Sequence, residues 1–185
     1  MIRLMLTVLM SWVASTANAS NYPPDYCHQI VRVLHQGPVL FATVTSGCNG
    51  GGLVIGYKNS GYLARKGAHQ LDAVITSSCQ LSDGSRVTKE TVVKLGREYH
   101  GTGYMSGEID GYSLLPDNCR YGLDAPIAVA FSDGRGDWDS QYGANYRFVS
   151  RDFNRYGKAI PTHEQSYNGK PSFKAWDIIV NEMRY

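Results

Sequence analysis

The apolar stretches of this chain are short, and turn-forming residues cut them at close intervals. Gln29–His35 carries Ile30, Val31, Val33 and Leu34, and Gly37-Pro38 ends it. Val39–Thr45 is rich in β-branched residues and reads as the second arm of a hairpin. Leu53–Tyr57 ends at Lys58-Asn59-Ser60-Gly61, Leu71–Thr76 runs toward Cys79, and Ser82-Asp83-Gly84 leads into Val87–Leu95. Ile127–Phe131 follows Pro126, and Tyr146–Val149 follows a polar loop. Short strands separated by turns favour a sandwich or barrel over βαβ units. No segment holds a capped 3.6-residue period over ten or more positions. Phe173–Tyr185 is the one place left for a helix, and Gly101 to Gly111 is expected to be irregular because of its glycines. The expected fold is all-β: an antiparallel, immunoglobulin-like sandwich with a short C-terminal helix.

Composition agrees. The 185 residues include 20 Gly and 13 Tyr, and only 18% are charged. Tyr favours strands and Gly favours turns. A net charge of +2 excludes a strongly basic nucleic-acid binder and an acidic solvating tail.

Met1-Ile2-Arg3, the apolar run from Leu4 to Val13, and Ala17-Asn18-Ala19 have the order of a secretory signal peptide. The run is too short to span a bilayer, which takes about 20 apolar residues, and no other stretch is longer, so no membrane partner is expected. Residues 1–19 are thus expected to be the signal and 20–185 one secreted or periplasmic domain. An oxidising compartment favours pairing Cys27, Cys48, Cys79 and Cys119. Three connectivities are open; the sequential one, Cys27–Cys48 with Cys79–Cys119, is favoured because both loops are local.

Several short motifs do not add up to chemistry. Gly47-Cys48-Asn49-Gly50-Gly51 resembles a fragment of papain-like proteases, but the Cys-Gly-x-Cys-Trp stretch is absent. Arg135-Gly136-Asp137 spells an integrin-type tripeptide inside a turn. Asp133, Asp137 and Asp139 sit on a glycine-bearing loop, yet without the Glu that closes a calcium-binding EF-hand. Asp side chains that cap their own turn explain them better. His28, His35, His69, His100 and His163 show no ligand spacing. Glu108 and Asp110 lack the context of a glycosidase pair. No catalytic residue, metal site or cofactor is therefore assigned.

Residues 127–148 carry the most information. An apolar strand enters a polar turn at Ser132–Gly136, and Trp138-Asp139 opens a second loop, Ser140 to Asn145. Tyr146 and Phe148 then alternate with Arg147. Aromatic rings cover the C–H faces of sugars, and amides or carboxylates bond their hydroxyls. Trp138, Tyr142 and Tyr146, beside Asp139, Gln141 and Asn145, have the composition of a carbohydrate-binding site.

The order Phe-Ser-Asp-Gly, Trp-Asp, Gly-x-Asn-Tyr resembles the starch- and glycogen-binding modules, matching at Trp138, Asp139, Gly143, Asn145 and Tyr146. It departs at Ser140-Gln141, where those modules carry Asn-Asn. The match covers about 20 residues. The resemblance implies a β-sandwich that binds α-glucan without catalysis, with Tyr57 and Tyr62 as secondary aromatic candidates. The alternative is a sandwich that has lost sugar binding and serves as a protein-interaction or inhibitor-like module.

Overall fold

The computed structural model of the chain describes residues 29–46, 50–96, 98, 101–119, 125–149, 158–162 and 173–184. Its elements in chain order are β1 (Gln29–Gln36), β2 (Val39–Ser46), β3 (Gly50–Lys58), α1 (Tyr62–Arg65), β4 (Leu71–Gln80), β5 (Arg86–Leu95), β6 (Tyr104–Asp110), α2 (Gly111–Leu114), β7 (Ile127–Ser132), β8 (Trp138–Asp139), β9 (Tyr146–Phe148), β10 (Lys158–Thr162) and α3 (Phe173–Met183). One sheet has the order β10-β1-β2-β3-β6. The other has β5-β4-β7-β8, with β9 also on β7. Every pairing is antiparallel. The sandwich and the C-terminal helix expected from the sequence are both present.

The runs Val39–Val44 and Leu53–Tyr57 are apolar at nearly every position, and the fold shows why. Phe41, Ile55 and Tyr57 face the second sheet, where they meet Leu71, Ala73, Ile75, Val129 and Phe131. Leu40, Ala42, Val44 and Val54 point the other way and are buried beneath α3. A strand buried on both faces reads as a continuous apolar run, not an alternation. Ala175, Ile179 and Met183 recur at four-residue spacing, so one face of α3 covers the sheet. In β4, by contrast, one face is wholly buried (Leu71, Ala73, Ile75, Ser77, Cys79) and the alternation is clean.

Residues 104–110, expected to be irregular, instead form β6, paired with β3 from Lys58↔Tyr104 to Gly52↔Asp110. Its glycine is a packing requirement. A Cβ on Gly107 would lie 2.6 Å from the Lys94 carbonyl oxygen and 2.8 Å from Val93 Cγ1. The missing side chain lets β6 pass close to β5, and Gly96 N–H donates to the Ser106 carbonyl at 3.0 Å across that junction. Strand β10 and the one-turn helices α1 and α2 are further elements not expected from the pattern. Pro161 in β10 sits on an outer strand, where a missing N–H is tolerated.

Cys79 at the end of β4 is disulfide-bonded to Cys119, with Cα atoms 6.1 Å apart. Cys27 and Cys48 lie outside the described residues, as does the proposed signal segment 1–19. Among the described residues no helix is long and apolar enough to cross a membrane.

Candidate functional site

Strand β7 pairs with two short strands in turn. Phe131 and Ser132 face Asp139 and Trp138 of β8, and Ile127–Val129 face Phe148–Tyr146 of β9. While β7 steps only from Phe131 to Val129, its partner runs from Asp139 to Tyr146, so the intervening chain is extruded from the sheet. Ser140 organises the extrusion: its carbonyl accepts from Gly143 N–H at 3.0 Å and from Asn145 N–H at 2.7 Å. Gln141 (φ 50°) and Tyr142 (φ 60°) occupy the turn in the left-handed region, followed by Gly143 and then Asn145 (φ 59°). A non-glycine residue there costs about 1–2 kcal/mol. Tyr142 stands at the tip, fully exposed.

The preceding turn is self-capped, as expected of its aspartates. Asp133 Oδ1 accepts from Arg135 N–H at 2.8 Å and Asp137 N–H at 3.1 Å. These bonds hold the Asp133 carboxyl below its ordinary range, the Arg135 amide contributing most. Asp137 is bonded by Lys66 at 2.8 Å. The same ammonium lies 4.9 Å from the centre of the Tyr62 ring, so Lys66 ties α1 to the loop ahead of β8.

Beneath the loop is a clasp between the sheets. Tyr57 of β3 donates its hydroxyl hydrogen to Asp139 Oδ2, and Tyr146 donates to Asp139 Oδ1 at 3.0 Å. Leu63 N–H donates to the Tyr57 oxygen at 3.2 Å. Phe131 lies between the two rings, with centres 4.8 Å from Tyr57 and 5.6 Å from Tyr146. Burial first, and the bond to Asp139 second, push both phenols well above the ordinary tyrosine value. Gly61 makes room for this: a Cβ there would come within 2.4 Å of the Tyr57 ring.

Above the clasp lies an open groove of about 860 Å³. The β1–β2 turn, the β3–α1 segment and the extruded loop form its walls. Trp138 (52% exposed), Tyr142 and Tyr62 (43% exposed) line it together with Gln141, Ser140, Ser60 and Arg65. Of the residues singled out by sequence, Trp138, Asp139, Gln141, Tyr142 and Tyr146 line the groove, and Trp138, Gln141 and Tyr142 are its exposed members. Asp139 is half-buried, with both oxygens taken by phenols. Tyr146, expected as a stacking ring, is instead a core residue, 4% exposed, because β9 turns it to the same side as Phe148. Asn145 is half-buried and does not line the groove; its backbone closes the turn. Tyr57 is buried and structural, whereas Tyr62 reaches the surface. Sequence reasoning missed Arg65 and Ser60. They sit around a one-turn helix, too short to show a period.

Fold and site together define a two-sheet β-sandwich, one sheet backed by a helix, with an aromatic groove at an extruded strand loop. No family model, curated protein or solved structure matches the chain.

Proposed function

We propose that the chain is a secreted or periplasmic, non-catalytic carbohydrate-binding module that takes an oligosaccharide in this groove. The observation that carries the reading is the convergence of three exposed rings, Trp138, Tyr142 and Tyr62, from two separate segments onto one concave surface. Exposed rings suit sugar C–H faces, and Gln141, Ser60, Ser140 and Arg65 supply polar partners at the rim. The resemblance of 138–146 to starch- and glycogen-binding modules makes an α-glucan the first ligand to test. The Cys79–Cys119 disulfide supports an oxidising compartment.

The test is calorimetric titration with maltoheptaose, with an amylose pull-down and a panel of other oligosaccharides alongside. Micromolar to millimolar binding that is lost in Trp138→Ala supports the reading. A folded protein that binds no sugar in the panel removes it.

A second reading is a protein-interaction or inhibitor-like module. What favours it is the projecting Tyr142 beside Trp138 and Arg65, the residue types that dominate protein interfaces. A stable complex with a co-purified protein, abolished by Tyr142→Ala and unaffected by sugar, decides for it.

A further inference from the structure

The groove has a hydrogen-bonding polarity as well as a shape. Sugar hydroxyls are good donors, and a carboxylate is their best side-chain acceptor. The carboxylate among the lining residues is Asp139. Its two oxygens already accept the hydrogens of Tyr57 and Tyr146, and Oδ1 also faces Gln141 N–H at 3.4 Å. Three of its roughly four acceptor positions are thus already used.

The groove is rich in donors instead. Arg65 Nη1 donates to the Ser60 carbonyl at 2.7 Å. That bond fixes the guanidinium against the wall and leaves most of its five N–H donors open. Arg65 makes no ion pair among the described residues. The neighbouring Lys66 is neutralised by Asp137. Lys58, which also lines the groove, holds its ammonium 5.8 Å from the centre of the Tyr104 ring, a residue of the helix-covered face. Of the two lining cations, Lys58 and Arg65, Arg65 is the one that carries a planar donor fork, and Gln141 of the loop lines the same groove. A planar guanidinium matches the paired oxygens of a carboxylate or phosphate ester, and such bonds are stronger than neutral ones.

We propose that the groove selects a glycan bearing an anionic substituent, a carboxylate or a phosphate ester, which Arg65 holds while Trp138 and Tyr142 cover the sugar faces. This rests on the carbohydrate reading above and narrows its ligand class.

The test titrates the full chain with three matched ligands: maltoheptaose, the same oligomer oxidised to carry 6-carboxylates, and its 6-phosphate ester. At low ionic strength the charged ligands are expected to bind tenfold or more tightly than the neutral one. Raising the salt should shrink that advantage. Arg65→Gln is expected to abolish the preference, bringing the charged ligands to the affinity that the same variant shows for maltoheptaose. Arg65→Lys, which keeps the charge but loses the fork, should fall between. The tighter of the two charged ligands identifies which anion the site takes. Equal binding of all three ligands overturns the inference, as does a preference that survives in Arg65→Gln. Inorganic phosphate competing as well as the sugar ester also overturns it. Binding by the neutral oligomer alone defeats this inference and leaves the carbohydrate reading standing. No binding by any of the three, or by the wider sugar panel, defeats both.

Discussion

Tyr57 of β3 donates its phenolic hydrogen to Asp139 of β8, a bond that crosses from one sheet of the sandwich to the other. Trp138 immediately precedes Asp139 in the chain, so the bond also fixes the base of the groove. Tyr57→Phe keeps the ring and removes the donor. Breaking a part-buried bond to a charged group should lower stability by about 1.5–3 kcal/mol in urea unfolding. Tyr146→Phe should cost less, at about 1–2 kcal/mol, because its bond is longer and less buried. The double variant should depart from additivity, because both hydroxyls serve one carboxylate.

Tyr142 tests whether the loop carries strain for the sake of a ligand. Its φ of 60° is unfavourable for a bulky residue, and its ring touches solvent on all sides. Tyr142→Gly should raise stability by up to about 1 kcal/mol, since glycine accepts this backbone freely. The same change should weaken ligand binding by about 1–3 kcal/mol through loss of the ring. Paired unfolding and titration curves check both signs; a fall in stability would show that the ring packs onto the fold.

The raised phenols give a pH signature. Tyr57 and Tyr146 ionise in the folded protein well above the ordinary value of 10.0. The folded state therefore holds protons that the unfolded chain has released. Stability from this source is complete below pH 10 and falls as pH rises above it toward the folded-state values. Tyrosine absorbance should show Tyr57 and Tyr146 ionising only as the protein unfolds. In Tyr57→Phe the alkaline loss should be shallower.

Gly61 is the inexpensive way to test the clasp from the backbone side. A methyl group there meets the Tyr57 ring at 2.4 Å. Gly61→Ala should destabilise by about 1–3 kcal/mol, the range for overpacking. Near-ultraviolet circular dichroism should change as the ring is displaced, and combining Gly61→Ala with Tyr57→Ala should relieve the overpacking part of the loss.

How much of this the sequence revealed depends on the range of the interactions involved. The two-sided strands β2 and β3 were legible because burial on both faces leaves an unbroken apolar run. The turn at Asp133 was legible because its capping is local. Strand β6 was hidden: its glycine, Gly107, is set by the approach of Lys94 on strand β5, a packing contact that the local pattern does not display. The site was half visible. Trp138, Gln141 and Tyr142 belong to one loop with a readable composition. The alternation Tyr146-Arg147-Phe148 already placed Tyr146 on the inner side with Phe148, and its chemistry alone suggested otherwise. Arg65 and Ser60 come from another segment, which the Tyr57–Asp139 bridge and the Lys66–Asp137 pair bring to the loop.

The interruption between β8 and β9 has an evolutionary consequence. Each half of the broken strand is pinned to β7 by its own register. The frame therefore needs little from residues 140–145 beyond a path from Asp139 to Tyr146. That segment is expected to act as an interchangeable cassette, whose length and side chains can be rewritten over a constant scaffold. A library randomised there should yield folded proteins with new ligand preferences, much as recognition loops do on other rigid β frameworks.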